Sequence, residues 1–276
     1  MNTIELQKKA LTIREAVWEL IYSAKTGHTG SDFSCIDILT ALYFDVLQQT
    51  PDTFGKPETD TYIQSKGHAV EALYETLALR GYFPKTDLNN FSGFKTHYIG
   101  HPTNDIHGIE MNTGSLGHGL GLGVGVALAA KMDKLTKKTF VLMGDGEQAE
   151  GSIWEAAMAA GNYHLDNLIG IIDHNKLQIS GSTTSVMNSE SLASKYTAFG
   201  WDVIEINGND MTDLLDALHQ DNLTSKPRLI LANTIKGKGI SFMENQANWH
   251  HKVPSESQYL EGLNELKAQK EALEND

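Results

Sequence analysis

Val141-Leu-Met-Gly-Asp-Gly-Glu-Gln-Ala-Glu-Gly-Ser-Ile-Trp-Glu-Ala156 passes from a short apolar run into a stretch with helical spacing. The run Thr139 to Met143 predicts a strand, and Ser152 to Tyr163 predicts a helix. Outward from this unit the pattern repeats. Strands are expected over 168–173, 202–206 and 228–233, with helices over 117–132, 191–199 and 211–219 between or beside them. The strands are short continuous apolar runs, as expected where a parallel sheet is covered on both faces. Towards the N-terminus, residues 4–25 carry apolar positions at helical intervals. Ser34 is expected to cap a helix running through Leu47, 50–60 to be a polar loop, 61–64 a short strand, and 69–79 a helix. Residues 81–114 are Gly-, Pro- and Asn-containing and read as irregular. The last twenty residues, rich in Glu and Lys, read as a solvated surface helix. The expected class is α/β, a mainly parallel sheet with helices on both faces, in one domain spanning 1–276.

In open α/β sheets, ligands bind at the carboxyl ends of strands. Gly144 and Gly146 let backbone N–H groups approach a phosphate closely. Asp145 between them puts a carboxylate at the same strand tip, where a phosphate alone would be repelled. The combination implies a bridging hard cation such as Mg²⁺, with Ca²⁺ or Mn²⁺ as substitutes. The next strand ends at Ile171-Ile-Asp-His-Asn-Lys-Leu, and Asn175 there offers an amide oxygen. A lone Gly-Asp-Gly is more often a turn. Two apolar strands ending in Asp145 and Asn175, with a helix between, favour a metal–diphosphate site.

The 276 residues carry 22 basic and 35 acidic side chains, for a net charge of -13. Nucleic acid and anionic membrane surfaces both select basic surfaces, so neither is expected as a partner. No apolar run approaches the ~20 residues of a membrane helix. The amphipathic N-terminus is no signal peptide. The single cysteine, Cys35, suits a reducing compartment, and a cytoplasmic location is expected.

Gly-Asp-Gly followed about thirty residues later by Asn resembles the thiamine-diphosphate fingerprint. The resemblance implies that Asp145, Asn175 and the Leu177 carbonyl hold Mg²⁺, and that Gly144 and Gly146 meet the diphosphate. Further segments resemble the transketolases, in family order over 27–254: Gly27-His-Thr-Gly-Ser-Asp, Ser65-Lys-Gly-His-Ala, Gly100-His-Pro with Asn112-Thr-Gly-Ser-Leu-Gly, and Thr234-Ile-Lys-Gly-Lys-Gly with Trp249-His-His-Lys-Val-Pro. By that resemblance His28 and His101 sit beside the reacting sugar carbons, and His68 beside cofactor and donor. Gly114, Ser115 and Leu116 contact the aminopyrimidine, and Lys236 lies close to the cofactor. For the last family histidine, near the diphosphate and the substrate channel, the family's Trp-His-Gly-Lys pattern points to His250, whereas the spacing to Pro254 favours His251; His250 is preferred. Glu150 matches a family glutamate at the subunit interface that relays protons between active sites, with a helix-N-terminal acid as the plain alternative. His97, His107, His118, His164, His174 and His219 receive no role. Gly121, Gly123 and Gly125 are read as close helix packing. Thr29 stands where the family has Pro, which is expected to loosen that turn. Thr61 and Gln64 also depart from the family pattern.

The resemblance implies a transferase of two-carbon ketol groups between sugar phosphates, with thiamine diphosphate supplying the carbon–carbon chemistry. The family's pyrimidine-binding domain, with its activating glutamate, would follow, and it is not in this sequence. A separate C-terminal subunit carrying both is expected, in a heterotetramer. Competing expectations are a split transketolase specialised for a branched or modified sugar phosphate, the α subunit of a 2-oxo acid dehydrogenase decarboxylase, and a non-catalytic regulatory paralogue.

Overall fold

Residues 1–275 are described by the computed structural model, the side chain of Asn275 excepted. Helix α1 (Thr3–Ala24) starts at a reciprocal cap. Asn2 Oδ1 accepts the Glu5 amide at 2.8 Å, and Glu5 Oε2 accepts the Asn2 amide at 3.0 Å. Then follow α2 (Thr29–Ala41), extended by a π turn, β1 (Thr61–Gln64) and α3 (Val70–Arg80). The middle of the chain is α4 (Gly119–Met132), β2 (Thr139–Gly144), α5 (Gly151–Asn162) and β3 (Leu168–His174). A small antiparallel hairpin, β4 (Leu177–Gln178) with β5 (Gly181–Ser182), precedes the short helices α6 (Thr183–Val186) and α7 (Leu192–Ala198). The remainder is β6 (Asp202–Asn207), α8 (Met211–His219), β7 (Arg228–Asn233) and α9 (Glu256–Asn275).

Five strands form one sheet in the order β1-β2-β3-β7-β6, every neighbouring pair parallel. Strand alternation divides the core. Phe140, Leu142, Ile169, Ile171, Ile230 and Ala232 face α1, α2, α3 and α8. Val141, Met143, Leu168, Ile172, Leu229 and Leu231 face α4, α5 and α7. A sheet buried on both sides has no polar face, which is why its strands read as unbroken apolar runs. Parallel pairing also brings the carboxyl ends of β2, β3 and β7 to one edge, with Asp145, Asn175 and Thr234 just beyond them.

Three expectations need correction. The second helix begins at Thr29, with Ser34 buried inside it. The Ser34 hydroxyl caps nothing; it lies 3.0 Å from Ser31 O and 2.5 Å from Asp173 Oδ2. The terminal helix is only partly solvated. Leu266 is fully buried, and Gly262 lies so close to Trp18 that an added Cβ would sit 2.9 Å from the indole. Of Gly121, Gly123 and Gly125, the second alone packs tightly, its added Cβ falling 2.5 Å from Val141 Cγ2. Gly121 and Gly125 have nothing within 4 Å and face outward.

Candidate active site

At the carboxyl edge of the sheet lies a cleft of about 370 Å³. One wall comes from the tips of β2 and β3: Gly144, Asp145, Gly146, Glu147, Asn175 and Leu177. Asp145 is almost fully buried and held by backbone amides. Gly146 N donates to Oδ1 at 2.7 Å and Lys176 N donates to Oδ2. Burial, reinforced by the nearby Asp173 carboxylate, lifts its pKa to about 6. Asn175 Oδ1 accepts the Leu177 amide at 3.2 Å.

The facing wall is built from segments far apart in sequence. His28 precedes α2, His68 precedes α3, and Lys236 and His250 follow β7. The His28 ring centroid is 5.3 Å from that of His68, 5.8 Å from His250 and 6.1 Å from His101. His68 and His250 stack at 5.4 Å. Gly114, at φ +135°, lies against His101, where an added Cβ would fall 2.6 Å from Cδ2; Leu116 joins the lining. Ser115 and Glu150 are exposed, Glu150 on the rim at the start of α5 with no side-chain cap hydrogen bond.

Burial, with Lys236 the next contributor, holds the His250 pKa near 3. Burial and then His251 hold that of His28 near 4. Burial also depresses His68 and His101. These rings are neutral at physiological pH, which suits hydrogen bonding to uncharged hydroxyls. Lys236 Nζ donates to His250 Nδ1 at 3.0 Å, so the neutral ring carries its proton on Nε2. Lys236 is buried. Burial and Lys66 lower its pKa to about 8.

Sequence reasoning missed the buried network beneath the cleft. Lys66 is ion-paired with Asp173, and its Nζ donates to Ser31 O at 2.9 Å. Burial opposes the Lys66 charge, but Asp173 outweighs that cost and raises its pKa. Asp173 also accepts from Ser34 and Thr234, and burial fails to raise its pKa against Lys66. Glu147 accepts from Ser65 Oγ, from Gly117 N at 2.8 Å and from Gly144 N at 3.0 Å, tying the β2 tip to the Ser65 and Gly117 loops. The signal was present: a carboxylate inside an apolar strand, as Asp173 is, must be paired when buried. Beneath His28, Asp32 and Glu71 are fully buried together. Asp32 Oδ1 accepts the Ala72 amide at 3.0 Å. Burial raises both pKa values, that of Asp32 to about 7.

The charges leave a mismatch. Among the described residues, neither Lys236 nor Asp145 has an ion-pair partner. A buried ammonium without an anion and a buried carboxylate without a cation share one cleft. A diphosphate chelated to a divalent ion would supply both missing charges. Carboxylate, amide and carbonyl oxygens form the hard donor set that Mg²⁺ takes.

The family model for the transketolase thiamine-diphosphate-binding domain matches residues 6–264. The chain belongs to the transketolase family. It is 50% identical to one of the subunits of the apulose-4-phosphate transketolase of Phocaeicola vulgatus, over all of this chain and 98% of that one. It is 41% identical to one from the 6-deoxy-6-sulfo-D-fructose transketolase of a Clostridium species, covering 95% of this chain and 96% of that one. The crystal structure of Campylobacter jejuni transketolase matches with a TM-score of 0.92 at 32% identity, covering 99% of this chain and 46% of that one. The chain thus spans about half the length of the solved transketolases it resembles. The expected α/β class and the transketolase-type transferase reading are borne out. No helix among the described residues is long and apolar enough to cross a membrane.

Proposed function

We propose that this transketolase chain binds thiamine diphosphate through a divalent ion and works with a second subunit to transfer a two-carbon ketol group between sugar phosphates. The convergence of His28, His68, His101 and His250 on one cleft opposite Asp145 and Asn175 carries this reading. Asp145, Asn175 and the Leu177 carbonyl hold Mg²⁺. The Gly144 and Gly146 backbone, His68, Lys236 and His250 hold the diphosphate, and Gly114, Ser115 and Leu116 flank the pyrimidine. When bound, the cofactor supplies the nucleophilic carbon for carbon–carbon cleavage. Neutral His28 and His101 hydrogen-bond the sugar's hydroxyls and carbonyl and pass protons between them. Glu150, on the rim, is placed to meet the partner.

The partner provides the pyrimidine-binding domain, the activating glutamate and the grip on the sugar's phosphate. Its docking face is the outer side of α4, where Gly121 and Gly125 are bare and Leu122 and Met132 are exposed. That face continues from the Ser115 loop at the cleft mouth. Two copies of each chain, in the cytoplasm, complete the reading. The names of the relatives put apulose 4-phosphate and a sulfofructose at the head of a substrate panel.

Co-expression with a transketolase C-terminal-half subunit is expected to give ketol transfer that requires thiamine diphosphate and Mg²⁺. Asp145→Ala is expected to weaken Mg²⁺-dependent cofactor binding more than about tenfold, read by tryptophan fluorescence. Unchanged metal-dependent binding would remove Asp145 from the metal site.

A further inference from the structure

The turn expected to be loosened by Thr29 is instead bolted down. Thr29 is fully buried in the first turn of α2, and its Oγ1 donates to Lys252 O at 2.7 Å. A proline at this position has no hydroxyl and could not make that bond. The next residue tightens the same contact. Gly30 lies so close to the 249–252 segment that an added Cβ would sit 2.8 Å from Trp249 O, and Gly30 O accepts the Gly237 amide at 3.0 Å. Trp249 is anchored from behind by Trp18 and Phe242, and Lys252 Nζ lies 4.4 Å over its ring.

The tether has a chemical consequence. Between Trp249 and Lys252 the chain carries two histidines, and both rings reach His28. His250 lines the cleft and is turned to Lys236. His251 does not line it. Its exposed ring meets the His28 ring edge-on at a centroid distance of 4.6 Å, closer to His28 than any of the other three. His28 is therefore bracketed by His68 and His250 within the cleft and by the exposed His251 on another side. An exposed imidazole fixed beside a ring that faces the sugar offers one further donor or acceptor to a substrate hydroxyl. Two buried anchors, Thr29 and Trp249, hold its backbone in place, which limits the entropy lost on binding.

We propose that His251, held against His28 by the Thr29–Lys252 hydrogen bond, contacts the sugar and helps to set which sugars are accepted. The inference deepens the transketolase reading and rests on it. Thr29 is a positioning residue; His251 is the residue that touches substrate.

The test uses the assembled two-chain enzyme with thiamine diphosphate and Mg²⁺ and a panel of ketose phosphate donors and aldose phosphate acceptors. His251→Gly and His251→Asn are expected to lower kcat/KM by about tenfold for some sugars and not others, mainly through KM. Cofactor affinity should be unchanged. Thr29→Val should reproduce part of that change in sugar ranking, and Thr29→Ser should restore it. Ring signals of isotope-labelled histidine should show His251 shifting when a donor sugar is added, an assignment confirmed by its loss in His251→Asn. An active His251→Gly enzyme with wild-type KM for every sugar overturns the proposal, as does a His251 ring signal that ignores the sugar. Absence of turnover in the wild-type assembly speaks against the transketolase reading instead, so the two failures are distinguishable.

Discussion

A half-buried histidine without a carboxylate partner is kept neutral, and four such rings bias the chain's response to acid. The unfolded state takes up a proton on each histidine near pH 6.5, whereas folded His28 and His250 resist to about 4 and 3. Between those limits the unfolded state binds more protons, so stability falls as pH drops from about 6.5 towards 4. Asp32, raised to about 7, acts in the opposite direction, gaining stability as pH falls through 7. Comparison of variants separates them. In His28→Asn/His250→Asn the loss of melting temperature from pH 7 to pH 5 should be smaller than in wild type, measured without cofactor. An unchanged or larger loss would mean that these rings titrate normally. At this scale Asp145, Asn175 and the histidines were legible in the sequence because each occupies a recognisable local motif. For Lys66, Glu147 and Asp173 the partners were not, because groups such as Ser34 and Thr234 are brought near only by folding.

The elements follow their local patterns closely where strands are buried on both faces and helices on one. The strands at 61–64 and 228–233 and the helix at 211–219 have the bounds that their apolar runs and caps predict. The start of α2 does not. Its first turn is buried throughout, so periodicity is absent and Ser34 looked like a cap. Helix α4 shows the same limit, since identical glycines have different neighbours. Gly123→Ala should destabilise the chain by about 1–3 kcal/mol, because the new methyl meets Val141. Gly125→Ala meets nothing and should stabilise the isolated chain by roughly 0.5–1 kcal/mol through helix propensity. Urea unfolding of both variants checks the pair; equal effects would contradict the packing described.

In the whole molecule, one sheet sorts the chain into two apolar layers and leaves the outer side of α4 uncovered beside the cleft mouth. Leu122 on that side is exposed in this chain alone. Leu122→Asp should leave the isolated chain's circular dichroism and melting temperature near wild type while abolishing association with the partner subunit in sedimentation measurements. Normal assembly of that variant would move the docking face elsewhere. The sequence by itself determined the α/β class, the order of the main helices and strands and the place of Asp145 and Asn175 at two strand tips, since those depend on apolar runs and on motifs contiguous along the chain. Tertiary structure alone decided that Thr29 fastens a turn instead of loosening it, and that His251 stands beside His28. Both depend on a carbonyl and a ring brought from more than two hundred residues away, and no local pattern encodes that distance.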